Sequence, residues 1–190
     1  AKKITNLYDL AMKTGAPVIG LIDSAGLRLQ EATDALNAFG EIYLKQTMAS
    51  GVIPQITAIF GSCGGGLAMI PTLTDFTFME EKNAKLFVNS PNALDENEIS
   101  KCDTSAASFQ SSEAGIVDVV ADEATIFAQI RELVAMLPSN NEDDDSLIEC
   151  TDDINRVCAE LENCVGDTSI ALSQLADNGV FFETKANYAK

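Results

Sequence analysis

The chain reads as an α/β protein built on a parallel sheet, on three observations. Short apolar runs alternate with stretches of helical spacing through residues 1–138. The runs are nearly continuous in apolar residues, as in strands buried on both faces, and do not alternate as strands with one wet face do. Glycine or proline marks most of the joins. Strands separated by helices pair in parallel through crossovers, which gives a layered architecture.

Each element has its own signal. Residues 17–23 (PVIGLID), introduced by Gly15 and Pro17, form the first buried strand. From 31 to 50, Ala32, Leu36, Phe39, Tyr43 and Leu44 recur at helical spacing until Gly51 closes the pattern. Residues 53–60 (IPQITAIF) form a second buried strand that runs into Gly61-Ser62-Cys63-Gly64-Gly65-Gly66, and a short helix follows near Pro71. Further strands are expected at 75–79, 85–88 and 116–120. A helix at 123–137 carries Phe127, Ile130, Val134 and Leu137 on one stripe and stops at Pro138. Lys2 and Lys3 open an amphipathic stretch that lacks the apolar core of a signal peptide, and the start at Ala1 fits a processed or excised product.

The composition changes after Pro138. Residues 139–146 (SNNEDDDS) read as a solvated acidic linker. Two helices are expected beyond it. One spans 152–165, capped by Thr151, with Ile154, Val157, Leu161 and Cys164 as its stripe. The other spans 168–177, behind Asp167 and ahead of Asn178-Gly179.

Composition also excludes function classes. The 190 residues suffice for one domain with a sizeable core. Lys and Arg total 12 against 29 Asp and Glu, for a formal charge of −17. Such a surface repels phosphate backbones and anionic lipid, so nucleic acid is not expected as a partner. No apolar run is long enough for membrane insertion. There is no His, which removes Ser-His-Asp and Cys-His nucleophilic schemes and His-ligated zinc, and no metal site is expected. Five cysteines, an odd number without a C-x-x-C pair, read as reduced thiols and point to the cytoplasm.

Two turns could carry chemistry. Gly64-Gly65-Gly66 follows a buried strand and precedes a helix, where unpaired N–H groups can hold a phosphate or a developing oxyanion; a structural turn with no ligand is the equal alternative. Neither the P-loop nor the G-x-G-x-x-G pattern is matched. Asp23-Ser24-Ala25-Gly26-Leu27-Arg28 follows the first strand, so parallel pairing brings both turns to one sheet edge. Two such loops, each aiming a backbone N–H at one point, make an oxyanion hole without any side chain. Ser24 is not a nucleophile, because its surroundings are not G-x-S-x-G and no base is present.

These segments resemble the carboxyltransferase component of biotin-dependent acyl-CoA carboxylases and decarboxylases. The resemblance rests on Asp23, Ser24, Gly26 and Arg28, then Ala49 to Gly51 and Ile53 to Ile56, then Gly61, Cys63, Gly65 and Gly66, then Pro71, Thr74, Asp75 and Phe76. It continues through Phe87, Pro91, Gly115 and Leu137-Pro138 to the tail DTSIALSQLADNGVFFETKANYAK. It implies a ClpP/crotonase-like spiral of ββα units, the N-terminal half of a carboxyltransferase with C-terminal helices. Residues 1–138 would be an acyl-CoA-binding half-domain without its opening strands, and 147–190 a helical segment leading toward a second half-domain.

By the same resemblance, the backbone N–H groups of Gly26, Leu27, Gly65 and Gly66 would form the oxyanion hole for an acyl-CoA thioester. Ala25, Arg28, Gly64 and Leu67 would line the substrate. The stabilised enolate would accept carboxyl from biotin, or be left when carboxyl moves to biotin. The implied partners are the acyl-CoA, the C-terminal carboxyltransferase half, a carrier protein or domain bearing the biotin, and further copies of the chain in an oligomer. Ala25 and Leu27 stand where the family has Gly and Ala, Gly64 where it has Ala, and Gln110 where it has His.

Alternatives remain at this level. A crotonase-type hydratase or isomerase would use the same hole but needs an acid such as Glu over the thioester, and Leu67-Ala68-Met69 follow the glycines instead. A non-catalytic half that only assembles with a partner would show exposed apolar surface. Arg28 meets either a CoA phosphate or a surface carboxylate. Cys63 reads as a small buried filler, Glu31 and Asp34 as first-turn acids, the run Glu142 to Asp145 as solvated charge, and Met48, Met69 and Met79 as core.

Overall fold

The computed structural model describes residues 1–93, 98–143, 150–164 and 166–189. The chain divides into two compact units, Ala1–Asp143 with Thr184–Lys190, and Asp144–Glu183. In the first, the order is α1 (Lys2–Thr14), β1 (Val18–Ser24), α2 (Ala32–Ala49), β2 (Gln55–Gly64), α3 (Met69–Thr72), β3 (Phe76–Glu80), β4 (Lys85–Phe87), α4 (Ala107–Ser112), β5 (Val119–Ala121) and α5 (Glu123–Met136). The strands pair in parallel in the order β1-β2-β3-β5, and β4 pairs with the C-terminal end of β2.

The centre of the sheet is buried, but β1, expected to be buried throughout, is an edge strand that buries only Val18 and Ile22. Ile56, Ile59, Phe78, Met79, Val117 and Ile126 are each at most 1% exposed. Full burial of such a side chain stabilises by about 1.5–3 kcal/mol. Three aspartates cap strand N–H groups that the ladder leaves without a partner. Asp23 accepts from Ser62 N at 3.0 Å, Asp75 from Gln55 N at 2.8 Å, and Asp118 from Thr77 N at 2.7 Å. Burial pushes the Asp118 carboxyl up, against the opposing pull of the Thr77 N–H and Lys185.

Several expectations are corrected in detail. The amphipathic opening stretch is a full helix, ended by Gly15 in the left-handed conformation. Strand β2 continues through the first glycines to Gly64, because β4 supplies a partner for Ser62–Gly64. α2 buries Ala35, Ile42, Gln46 and Ala49, while Leu36 and Leu44 are 58% and 59% exposed. α5 likewise buries Ile126, Ile130 and Leu133, and Phe127 is turned outward to stack on Phe60. In both helices the buried face is rotated by about one residue from the expected stripe, onto Ala35, Ile42, Gln46 and Ala49 in α2 and onto Ile126, Ile130 and Leu133 in α5.

The first residues expected in the linker are pinned. Asn140 Nδ2 donates to the Gly15 carbonyl at 3.1 Å and Asn141 N to the Val52 carbonyl at 2.9 Å. Residues 144–146, and 147–149 of the helical segment, lie outside the described residues. The last residues rejoin the first unit: Lys185 Nζ donates to the Gly115 carbonyl at 2.7 Å and Lys185 N to the Asp118 carbonyl at 2.9 Å.

In the second unit, α6 (Thr168–Leu175) forms where expected, with Asp167 accepting from Ser169 N as N-cap. The helix expected over 152–165 is not there. Its described residues form turns and a 3₁₀ turn at Leu161–Asn163, and residue 165 lies outside the described residues. Ile154 and Val157, half of the proposed stripe, are 90% and 84% exposed. A short helix needs a surface to bury its stripe, and none of the described residues of this unit is buried. Arg156 holds the segment instead, donating to Asp152 at 2.6 Å and to the carbonyls of Gln174 at 2.5 Å and Ala176 at 2.9 Å.

Candidate functional site

Parallel pairing puts the C-terminal ends of β1 and β2 side by side. The register runs straight to Ile22 beside Ile59, then slips, so that Ser24 faces Cys63. That irregularity aims both following loops at the same place. A Cβ built on Gly26, whose φ is 117°, would lie 2.7 Å from the Gly64 carbonyl oxygen. One built on Gly64 would lie 2.7 Å from the Ala25 carbonyl oxygen and 2.8 Å from the Phe87 ring. The two loops therefore touch backbone to backbone, and neither glycine can be replaced without displacing the other strand's loop.

The glycine turn is a 3₁₀ turn, Gly65–Ala68. The first N–H groups of such a turn have no partner within it. At Gly65, φ 62°, a Cβ would meet nothing within 4 Å, so the approach to the turn is open. From behind, Tyr43 on α2 donates its hydroxyl to the Gly66 carbonyl, and Phe39 stacks on Tyr43 at 6.0 Å. That contact anchors the Gly66 carbonyl, on the side of the turn away from the open approach at Gly65.

On the facing loop, Leu27 N–H has no hydrogen-bond partner among the described residues. Gly26 N–H reaches the Ser24 hydroxyl at 3.4 Å. Ser24 thereby shapes the loop. Arg28 is exposed and pairs with Glu31 at 3.3 Å. Leu67 is half-buried against the core, and its carbonyl accepts from Cys63 Sγ at 3.6 Å. Burial pushes the Cys63 thiol up to about 12, which leaves it without thiolate character at neutral pH.

Thus the structure brings together Ala25, Gly26, Leu27, Gly64, Gly65, Gly66 and Leu67, and leaves Arg28 on the rim. Sequence reasoning missed the supports, Tyr43 with Phe39 behind Gly66 and Phe87 against Gly64. Tyr43 and Phe39 carried only a helical-stripe signal, and a hydroxyl aimed at a distant carbonyl leaves no local trace. Gln110 is buried and donates Nε2 to the carbonyls of Thr104 at 2.6 Å and Leu86 at 3.3 Å, so it braces β4 beneath the turn. Among the described residues no group of His, Cys, Asp and Glu could hold a metal ion, and no helix is long and apolar enough to cross a membrane.

Comparison with known proteins identifies the family and the fold. The carboxyl transferase domain model matches residues 1–190. The carboxyltransferase subunit of propionyl-CoA carboxylase from Haloferax mediterranei is 40% identical over 201 aligned positions, which take in 100% of this chain and 39% of that protein. Methylmalonyl-CoA decarboxylase subunit alpha from Veillonella parvula is 38% identical over 200 positions, with 100% and 39% covered. The chain spans about two fifths of the length of these relatives. A crystal structure of transcarboxylase 12S, described as a hexamer assembly with hydrolyzed methylmalonyl-coenzyme A bound, superposes with a TM-score of 0.88 at 28% identity, covering 99% of this chain and 38% of that one. The β subunit of geranyl-CoA carboxylase from P. aeruginosa gives 0.65 at 28% identity over 72% of this chain and 27% of that one. The expected crotonase-like α/β fold is therefore the fold of solved carboxyltransferases, and the chain belongs to the carboxyl transferase domain family.

Proposed function

We propose that this chain supplies the acyl-CoA side of a biotin-dependent carboxyl transfer. The observation that carries the reading is the backbone contact between the Asp23–Arg28 loop and the Gly64–Leu67 turn, which sets the two loops side by side at one sheet edge with open space beside Gly65. The thioester carbonyl of an acyl-CoA would sit there, between Leu27 N–H and the N–H groups of Gly65 and Gly66, with Gly26 shaping the loop. As the α-carbon gains carbanion character, charge collects on that oxygen, and fixed donors stabilise it without reorganising. One such donor is worth about 2.7–4 kcal/mol in the transition state. Biotin, borne on a separate carrier, supplies or accepts the carboxyl group. The open face above Gly65 leaves room for it, and the wall opposite would come from the C-terminal carboxyltransferase half.

Ala25, Gly64 and Leu67 shape the substrate's seat, and Arg28, on the rim, reaches a CoA phosphate by exchanging its Glu31 partner. The protein would work as an oligomer in the cytoplasm, where its five free thiols stay reduced. A second reading has one observation in its favour. On β1, Ile19 and Leu21 are 45% and 57% exposed, as expected of a half that completes its site only within an assembly.

Calorimetric titration with propionyl-CoA tests the proposal on wild type, Gly66→Pro and Gly65→Asp. Proline removes one N–H, and aspartate, tolerated at positive φ, puts a carboxylate into the open approach. Saturable binding, weakened at least tenfold by either variant with circular dichroism unchanged, is expected. A folded wild type without binding overturns the self-sufficient half-site and leaves the assembly reading.

A further inference from the structure

Two successive carbonyls of the glycine turn are held from behind by side chains of other elements. The Gly66 carbonyl accepts the Tyr43 hydroxyl from α2, and the Leu67 carbonyl accepts Cys63 Sγ from β2 at 3.6 Å. A thiol is a weak donor, so the hydroxyl is the stronger of the two holds. It is not there to rescue an orphan acceptor, because Met69 N–H already donates to the Gly66 carbonyl. Nor is it needed for the aromatic stack on Phe39, which a phenyl ring would make as well. What the hydroxyl adds is a fixed direction.

Direction matters most at Gly66. It is the second residue of the turn, so its N–H has no acceptor inside the turn. In a helical turn the N–H groups point toward the start and the carbonyls toward the end. Gly66 is thus tied on one side by its carbonyl, while its N–H stands on the other. Glycine does little to fix its own φ and ψ, so the hold has to come from a neighbour. The α2 pair is close enough to supply it: a Cβ on Gly66 would lie 3.2 Å from both Phe39 Cδ2 and the Tyr43 hydroxyl. Burial, with Cys63 close by, pushes the Tyr43 phenol above its ordinary value, so it stays protonated and able to donate at neutral pH.

We propose that Tyr43 is a positioning residue for the oxyanion hole. By holding the Gly66 carbonyl it fixes where the Gly66 N–H points, and so sets how strongly a bound thioester carbonyl is polarised. Hydrogen bonds weaken steeply when the donor is misaligned, and a site is accurate only when its own donors are locked by the residues behind them. Tyr43 itself does not touch the substrate. The proposal rests on the acyl-CoA reading of the loops.

The test uses the full chain, as wild type and Tyr43→Phe, with propionyl-CoA carrying carbon-13 at the thioester carbonyl. The carbonyl resonance is followed by NMR, beside the affinity and the melting temperature of each chain. In wild type the resonance is expected to move downfield on binding, as hydrogen bonds draw charge onto the oxygen. In Tyr43→Phe most of that shift should be lost, while affinity falls at most several-fold and the melting temperature holds. A packing role alone would not produce this combination. An undiminished shift in Tyr43→Phe overturns the proposal and leaves the loop reading standing. So does a shift lost together with the melting temperature, which places the role of the hydroxyl in the fold. If wild type binds propionyl-CoA without a carbonyl shift, or does not bind it, the acyl-CoA reading of the loops fails and the role of Tyr43 falls with it.

Discussion

The two units of this chain use similar sequence material to different ends. In the first, Ile59, Phe78 and Met79 are 0% exposed, because strands and helices offer one another faces to bury. In the second no described residue is buried, and its order rests on hydrogen bonds such as those of Arg156 and the Asp167 cap. An apolar stripe at helical spacing is therefore not enough to make a helix. The face of α5 carrying Ile126, Ile130 and Leu133 has a sheet to meet, while Ile154 and Val157 are exposed and no described residue of their unit is buried.

The contrast is most easily broken by core truncation. Phe78→Ala should cost about 3–5 kcal/mol in urea denaturation followed by circular dichroism. Leu175→Ala, on the exposed side of α6, should stay within about 0.5 kcal/mol. Similar costs at both positions would mean that the second unit has a buried core after all.

A smaller effect is expected where the two loops meet. Gly64→Ala places a methyl 2.7 Å from the Ala25 carbonyl oxygen and 2.8 Å from the Phe87 ring. Overpacking of this kind costs about 1–3 kcal/mol. No cost would show that the loops separate freely, which a preorganised hole cannot do.

Much of this was legible in the sequence, for identifiable reasons. The apolar runs at 17–23 and 53–60 read as parallel strands, and parallel strands deliver both loops to one edge. Only β2 is buried through its apolar run: β1 lies at the edge of the sheet and leaves Ile19 and Leu21 45% and 57% exposed. The backbone donors at Leu27, Gly65 and Gly66 could be named because glycine and position, not side chains, specify them. Tyr43 behind Gly66 and Phe87 against Gly64 were not legible, since each acts across more than twenty residues of chain. The helix over 152–165 was misread because local periodicity says nothing about whether a partner surface exists.

Asp118 in the first unit and Asp152 in the second should also respond to pH with opposite sign. Burial raises the Asp118 carboxyl, so its share of stability is fully present below the ordinary Asp value of about 3.9 and is lost as pH rises through its raised folded value. Asp118→Asn, which can still accept from Thr77 N–H, should therefore stabilise at neutral pH and make no difference in acid. The Asn178 N–H, with Arg156 behind it, holds Asp152 below the usual range. Its share is present above about pH 3.9 and lost as pH falls through the lowered folded value. The NMR resonance of the Asn178 amide should report that loss in wild type, and its acid titration should vanish in Asp152→Asn. The same sign at both sites would contradict the contrast.

The smallest change is expected on the rim. Arg28→Ala breaks an exposed pair and should alter stability by about 0.5 kcal/mol or less. If Arg28 meets a CoA phosphate, the same variant weakens propionyl-CoA several-fold at low salt and little at high salt.

The central claim is that two loops, and not side-chain groups, form the site. Amide NMR of the labelled chain during addition of propionyl-CoA tests it most directly. The account predicts that the Leu27, Gly65 and Gly66 amides move together, with one saturation curve, while amides of α6 stay still. Shifts confined to other surfaces, or separate curves for the two loops, would contradict it.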